Sequence, residues 1–187
     1  SIPQGRKFSI YDEDDASDLL RSIAMDRGSK IDAAEARMIH SSICDLRENS
    51  DPDLSSIDSF MGENADLARE YIQAMRHTSA LDFTGLLHEP YLAAKKGDTP
   101  IGKLFDYVVV DEAQDTNFIQ FELASMLSPH RNIMLVGDGD QSIYRWRGAR
   151  PENLVKFVSS GASLIRLTQN YRCNPHVVKA ASALISC

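Results

Sequence analysis

The sequence has few of the residues that build disulfide, zinc or membrane structures. Its three cysteines, Cys44, Cys173 and Cys187, are odd in number and far apart, which indicates neither a disulfide framework nor a zinc site. The five histidines are scattered. No charged-then-apolar leader is present and no apolar run approaches the ~18 residues of a membrane helix. We therefore expect a cytoplasmic globular protein without a membrane segment, with one or two domains in its 187 residues.

Positive charge is also scarce, and its distribution is uneven. The net charge is −7, which taken alone argues against nucleic-acid binding. Residues 1–99 carry 11 basic and 19 acidic residues, whereas residues 100–187 carry 9 and 8. Arg145, Arg147 and Arg150 cluster around Trp146, the single tryptophan. A local basic cluster is what phosphate contacts require, so the charge of the whole chain does not exclude nucleic acid as a partner.

The first half of the sequence has helical periodicity. Asp12 is placed to cap a first helix, and Asp32 with Glu35 has the spacing of a capping box that opens a second. Residues 49–59, rich in Asp and Ser, are predicted to be a loop. Two further helices are expected over 63–77 and 83–95, with Pro90 as a kink or break in the last. The apolar stripes of these helices predict packing surfaces and not binding sites.

From residue 106 onward the pattern changes to alternating strands and helices. This alternation is typical of an α/β fold with a parallel sheet. The predicted elements are, in order, strand 106–110, helix 118–127, strand 132–136, helix 151–159, strand 163–167 and helix 175–185.

The most informative segment is Tyr107–Asn117. Three valines, which predict a buried strand, lead directly into Asp111 and Glu112. Ligands of parallel sheets collect beyond the carboxyl ends of the strands, so both carboxylates fall where a phosphate and its metal bind. One carboxylate there can hold Mg²⁺ and the other can polarise a water for attack on phosphorus. Taken alone, the segment would be interpreted more simply as a solvated turn at Asp111 followed by the start of a helix.

Two later segments favour the phosphate site. Asn132–Asp138 is a second strand pattern ending in Gly and Asp, and it continues into Gly139–Ala149, read Gly-Asp-Gln-Ser-Ile-Tyr-Arg-Trp-Arg-Gly-Ala. Leu164–Pro175 follows, with Thr-Gln-Asn-Tyr-Arg-Cys-Asn-Pro at its end. In this order and spacing the three blocks resemble motifs II (Walker B), III and IV of the superfamily 1 DNA helicases of the UvrD, Rep and PcrA type. Ala80–Leu87 is similar to the segment that precedes motif II in that family.

The resemblance implies a role for each matching residue. Asp111 would assist Mg²⁺ and Glu112 would activate the attacking water. Gln114 and Gln141 would contact the nucleotide, and Gln141 would sense the γ-phosphate of ATP. Arg172 would reach the same phosphate as an arginine finger when two domains close.

The motif III segment would carry the nucleic-acid contacts. Tyr144 and Trp146 would stack on bases of single-stranded DNA, and Arg147 would bind a backbone phosphate or brace the acidic cluster. The alternative for Trp146 is a core aromatic, but its flanking arginines disfavour deep burial. Gly139 and Cys173 depart from residues common in the family, and neither has a catalytic role in this scheme.

The sequence offers no convincing phosphate loop. Gly97–Lys103 fits Gly-x-x-x-x-Gly-Lys, but Leu104 replaces the metal-binding hydroxyl and a strand, not a helix, is expected to follow. We therefore expect part of a larger helicase that is inactive alone. The resemblance divides it into a helical subdomain (1–98), the C-terminal part of a first RecA-like domain (99–168) and the start of a second (169–187).

The sequence thus predicts a partial RecA-like P-loop NTPase domain with an inserted all-helical subdomain. Its expected function is ATP-dependent translocation on single-stranded DNA and duplex unwinding, in the 3′ to 5′ direction of the family, with ATP and Mg²⁺ as cofactors. The remainder of the helicase chain and single-strand/double-strand junctions are the expected partners. Two alternatives remain open: the helicase portion of a helicase–nuclease, and a non-catalytic DNA-binding or docking module.

Overall fold

The computed structural model describes residues 7–98, 101, 104–128, 130 and 132–186, without the side chain of Arg147. Up to residue 98 the chain is mainly helical, with one short parallel strand pair, β1 with β2. The elements there are β1 (Ser9–Ile10), α1 (Glu13–Asp26), α2 (Ala33–Asp45), α3 (Ile57–Met61), α4 (Ala65–His77), β2 (Ala80–Leu81) and α5 (Phe83–Lys95).

The predicted helix starts are confirmed. Asp12 and Asp32 cap α1 and α2, and both form capping boxes, Asp12 with Asp15 and Asp32 with Glu35. Each aspartate accepts from backbone N–H groups that the first helical turn leaves unpaired, so polar sequence at these positions fixes where the helices begin. Pro90 lies inside α5, which runs through it.

The expected loop at 49–59 is wrong in part. One π-helical turn, Leu46–Ser50 (the π-turn), extends α2, and α3 begins at Ile57. Buried Ile57 and Met61 provide α3 with an apolar face despite its polar neighbours. Between the π-turn and α3, the Asp51 carboxylate accepts from the hydroxyls of Ser55 and Ser56 and so holds the connecting residues in place.

The main hydrophobic core lies among α1, α2 and α4. Leu20, Ile43, Leu46, Ala68 and Tyr71 are fully excluded from solvent. These side chains recur at helical intervals on three different helices, so the stripes seen in sequence are packing surfaces, as expected.

A buried carboxylate, Asp82, connects this core to α5. Its oxygens accept from Arg47 (3.0 and 2.9 Å), from the Tyr71 hydroxyl (2.9 Å) and from the Gly85 backbone N–H (2.6 Å). His40 Nε2 lies 3.5 Å away. Burial favours the protonated acid, but these donors outweigh it and hold the pKa of Asp82 well below its ordinary value. Burial likewise opposes the charge on His40, yet contacts with Asp82 and Cys44 raise its pKa to about 9.

The π-turn also joins the helical half to the rest of the chain. Glu48 accepts from the Thr84 hydroxyl and from the Asn117 side-chain amide (2.7 Å). The backbone carbonyl of Asn49 accepts from the Arg150 guanidinium (2.7 Å). These contacts cross up to 101 residues of sequence. A single turn therefore fixes the helical half against two separate segments of the second half, one at Asn117 and one at Arg150.

The second half holds β3 (Val108–Val110), α6 (Phe118–Met126), β4 (Ile133–Leu135), α7 (Glu152–Ser159) and α8 (Pro175–Ile185). β3 and β4 are parallel neighbours, as the sequence predicts. The expectation of a fully buried strand is wrong, because Val109 remains 65% exposed. A predicted strand at 163–167 is also wrong: among the described residues no strand lies beside it, and without a partner its backbone forms no ladder.

The mixed helix and strand content agrees with the α/β class that was predicted. The division at residues 98 and 168, with an inserted helical subdomain and a second RecA-like domain, stays a prediction. The candidate loop Gly97–Lys103 lies largely outside the described residues. Across the described part of the chain, no helix combines the length and the apolar character needed to cross a bilayer.

Replacing Asp82 by alanine should destabilise the protein strongly. The change leaves the buried Arg47 charge without its partner, and a broken buried pair of this kind costs about 3–5 kcal/mol. Asp18→Ala removes an exposed pair with Arg21 and should cost about 0–1 kcal/mol. Denaturant unfolding of both variants measures the difference. Equal losses would show that the Asp82 cluster is not a principal support of the fold.

A methyl group at Gly148 should disturb the contact with the π-turn. Gly148 has a left-handed φ of +82°, and a Cβ there would overlap the side-chain amide nitrogen of Asn49. Gly148→Ala should therefore lower the free energy of unfolding by more than about 1 kcal/mol. Gly139→Ala is the matched control, since its Cβ would meet nothing within 4 Å. A Gly148→Ala protein as stable as this control would contradict the close approach.

Candidate functional site

The site lies at the carboxyl edge of the β3–β4 pair. Val108 is in register with Ile133 and Val110 with Leu135, so both strands end at the same edge. The ladder continues beyond them, with Val136 N–H donating to the Val110 carbonyl (2.8 Å). The Ala113 N–H then donates to the Val136 carbonyl (2.9 Å). The two segments that follow the strands, 111–115 and 137–142, are thereby held side by side.

Asp111 and Glu112 are exposed at this edge, where a ligand can reach them. Glu112 has a left-handed backbone, with φ +50° and ψ +39°. This conformation is costly for a residue with a Cβ, on the order of 1–3 kcal/mol, and such strain concentrates at functional sites. The Asp111 carboxylate helps to hold it, because Oδ1 accepts from the Glu112 N–H (2.9 Å).

Gln114 lies behind the Glu112 carboxylate and is only 2% exposed. Its Nε2 donates to Glu112 Oε2 (2.7 Å), and its Oε1 accepts from the Asp138 N–H (3.1 Å). The Ser142 hydroxyl donates to its backbone carbonyl (3.3 Å). The Gln114 side chain therefore connects motif II to motif III. The contact of Gln114 with the nucleotide stays a prediction.

The motif III residues continue this network. Asp138 caps a short 3₁₀ turn, Gly139–Gln141, by accepting from the Asp140 N–H (3.1 Å). Its other carboxylate oxygen accepts from Gln141 Nε2 (2.8 Å). Gln141 is exposed and stands at the same edge as Asp111 and Glu112. Three of the predicted nucleotide residues are therefore brought to one edge of the sheet.

Gly137 makes the close approach of the two segments possible. A Cβ at this position would lie 2.5 Å from Gln114 Oε1 and 3.2 Å from the Ala113 backbone nitrogen. A side chain here would displace the Gln114 amide, so glycine is needed for packing and not for an unusual φ.

The predicted DNA-contacting residues lie on the later part of motif III, after the turn Gly139–Gln141. Trp146 is 74% exposed, which agrees with its flanking arginines, and its ring centroid lies 6.3 Å from that of Tyr144 with the planes tilted by 53°. Arg145 pairs with Glu152 at the start of α7 (2.7 Å). The side chain of Arg147 lies outside the part of the chain that the structure describes.

Arg172 is not brought to the carboxylates in the described residues. It is exposed, and its backbone N–H donates to Asn170 Oδ1 (2.9 Å), which also accepts from Cys173 N–H (2.8 Å). Asn170 thus shapes a turn that leads into α8, whose own cap is Asn174. The arginine-finger role of Arg172 stays a prediction.

Among the described residues, metal-ligating side chains lie at the sheet edge and in the cluster around Asp82. At the sheet edge, exposed carboxylate oxygens of Asp111 suit Mg²⁺, a cation that prefers oxygen and keeps several waters. The second group, His40, Cys44 and Asp82, has ligand atoms within 4.8 Å of one another. Asp82 already accepts from Arg47, Tyr71 and Gly85, so a cation there would have to displace a buried guanidinium, and we assign no metal to it.

Sequence reasoning missed the bridging role of Gln114 and the π-turn contacts. The sequence signal for the Gln114 bridge is Gly137, whose missing side chain leaves the space that the Gln114 amide occupies. This signal is recognisable only once the structure is known. The joint at Glu48 and Asn49 has no such signal, since its partners lie 36 to 101 residues away.

Comparison with known proteins gives consistent matches. Residues 3–161 match the model of the UvrD/REP helicase N-terminal domain. The chain is similar to ATP-dependent DNA helicase UvrD1 of Mycobacterium leprae, 33% identical over 96% of this chain and 26% of that protein. It is also similar to ATP-dependent DNA helicase Rep of Buchnera aphidicola subsp. Baizongia pistaciae (35%; 96% and 28%) and of Salmonella typhimurium (42%; 62% and 18%).

The chain spans about a quarter of the length of the relatives that match it over nearly all of its residues. The family model covers most of the chain, including the motif II and motif III segments whose geometry is described above. The protein belongs to the UvrD/REP helicase family.

Proposed function

We propose that this chain is part of an ATP-dependent DNA helicase, in which ATP hydrolysis drives translocation on single-stranded DNA and duplex unwinding in the 3′ to 5′ direction. The observation that carries the proposal is the exposed pair Asp111–Glu112 at the end of β3, tied through Gln114 to the motif III segment that leads to Trp146. The named activities of the UvrD1 and Rep relatives support it.

The nucleotide half of the proposal assigns separate tasks to neighbouring groups. Asp111 holds Mg²⁺ directly or through water, and the ion supplies positive charge beside the phosphates. Glu112 accepts a proton from the water that attacks the γ-phosphate. Gln141, three residues from Asp138 and exposed at the same edge, contacts that phosphate. Arg172 adds a further positive charge once the segment carrying it closes over the site.

The DNA half rests on the motif III loop. Trp146 and Tyr144 present aromatic surfaces beside each other, and single-stranded DNA is bound by stacking of its bases on such surfaces. Tyr144 is the third residue after Gln141. A change at the γ-phosphate therefore has a short path to the bases, which is what the coupling of hydrolysis to translocation requires.

Replacing Glu112 by glutamine in the full-length helicase should suppress ATP turnover by several orders of magnitude. The substitution keeps the shape of the side chain and removes the base, so ATP and Mg²⁺ binding should remain nearly intact. Steady-state ATPase and nucleotide-binding assays measure the two effects, with the exposed Glu63→Gln as control. A loss below about tenfold, or ~1.4 kcal/mol of barrier, would exclude Glu112 as the catalytic base.

Replacing Trp146 by alanine in the full-length helicase should weaken binding of single-stranded DNA by about 5- to 150-fold, the effect of losing one base–aromatic stack. The loss should vary little with base sequence, because every base has a π-face. Fluorescence anisotropy with labelled oligonucleotides of different composition measures it. Phe60→Ala, an exposed aromatic on α3, is the control. If both variants bind equally well, Trp146 is not a stacking residue.

A further inference from the structure

We propose that Gln114 is a positioning residue for ATP hydrolysis, which orients the Glu112 carboxylate and joins it to motif III. The inference rests on the function proposed above, in which Glu112 is the base. The buried, neutral amide of Gln114 binds one oxygen of Glu112 and leaves the other available to the attacking water.

The orientation of the Gln114 amide follows from its two partners. The Asp138 backbone N–H is only a donor, so the amide oxygen must face it. The NH₂ group then faces Glu112 Oε2, an acceptor when the carboxylate is charged. The reversed amide would set an oxygen against the carboxylate and an NH₂ against an N–H. Both hydrogen bonds would be lost, and the reversed state is disfavoured.

This arrangement divides the Glu112 carboxylate into two different oxygens. Oε2 accepts from Gln114 (2.7 Å) and is held on the buried side. Oε1 is the oxygen left to accept a proton from water at the exposed edge. A carboxylate without this anchor would rotate about its last side-chain bond and present its oxygens in many directions, which lowers the fraction of productive encounters.

The backbone of Glu112 needs such a restraint. Its left-handed conformation is unfavourable for a glutamate, and surrounding contacts must compensate for it. Gln114 is 2% exposed, and Gly137 leaves the space in which its amide lies. The restraint is therefore built by Gln114 and Gly137, one from each strand end, and not by Glu112 alone.

Gln114 also connects the base to the phosphate-sensing segment. The Gln114 amide oxygen accepts from the Asp138 backbone N–H, and the Asp138 carboxylate accepts in turn from Gln141 Nε2 (2.8 Å). Displacement of the motif III backbone would thus break the hydrogen bond that fixes the Gln114 amide and loosen Glu112. Catalysis would then depend on the position of motif III without any contact between Gln141 and Glu112.

Two substitutions in the full-length helicase test the proposal. Gln114→Met keeps the volume and removes both hydrogen bonds, so kcat for ATP should fall about 10- to 100-fold, typical for loss of a supporting contact. KM for ATP should change by less than about threefold, because Gln114 is buried and both ends of its amide are already bonded to Glu112 and Asp138. Gln73→Met on the exposed face of α4 is the matched control and should match wild type.

Gln114→Glu keeps the size of the side chain and replaces the NH₂ group that donates to Glu112 by a carboxylate oxygen, which cannot donate when charged and repels the charged Glu112. The new side chain can still accept from the Asp138 N–H. kcat for ATP should therefore fall at least as far as in Gln114→Met while KM again changes by less than about threefold, a split that a general loss of structure would not give. Gln73→Glu should match wild type.

The outcomes separate this inference from the proposed function. If wild type hydrolyses ATP and Glu112→Gln does not, then an unchanged kcat in Gln114→Met overturns the positioning role alone. An unchanged kcat in Gln114→Glu overturns it as well, including the case in which Gln114→Met fails to fold. If wild type shows no turnover, or Glu112→Gln retains it, the proposed function fails and this inference fails with it.

Discussion

The rest of the structure depends on the hydrogen-bonded carboxylate of Asp82. An ionised group in a hydrophobic interior is tolerated only when donors replace its water, and here α2, the π-turn, α4 and the first turn of α5 all contribute to its environment. Its position is therefore determined by four elements at once. Hydrophobic packing brings these elements together, but the directional contacts of Asp82 select one arrangement among those that packing would allow.

The restraint passes from this cluster to the sheet edge through adjacent residues. Arg47 donates to Asp82, and Glu48 accepts from Asn117, the N-cap of α6. The Asn49 carbonyl accepts from Arg150, which follows motif III. Asn117 and Arg150 thus anchor the two segments that follow motif II and motif III. The helical half contributes no catalytic side chain to the proposed site and yet determines where that site can be.

Local signals were sufficient for much of the fold. Asp12 and Asp32 predicted helix starts because capping involves residues only two or three apart. The valines before Asp111 predicted a strand, and the parallel pairing with β4 followed from the alternating pattern. The strand expected at 163–167 failed because a strand needs a neighbour, and hydrophobic composition does not provide one. Gln114 was assigned by its position in a motif, whereas its burial depends on Gly137, 23 residues later in the chain.

The π-turn has a consequence for how this region tolerates changes in length. Successive residues of an α-helix are rotated by about 100° around its axis, so the loss or gain of one residue in α2 would turn Arg47, Glu48 and Asn49 away from all their partners together. Substitution alters one of these contacts, while a change of length alters every one. Insertions and deletions in this family should therefore collect on either side of 46–50, and the spacing from α2 through this turn should be among its least variable distances.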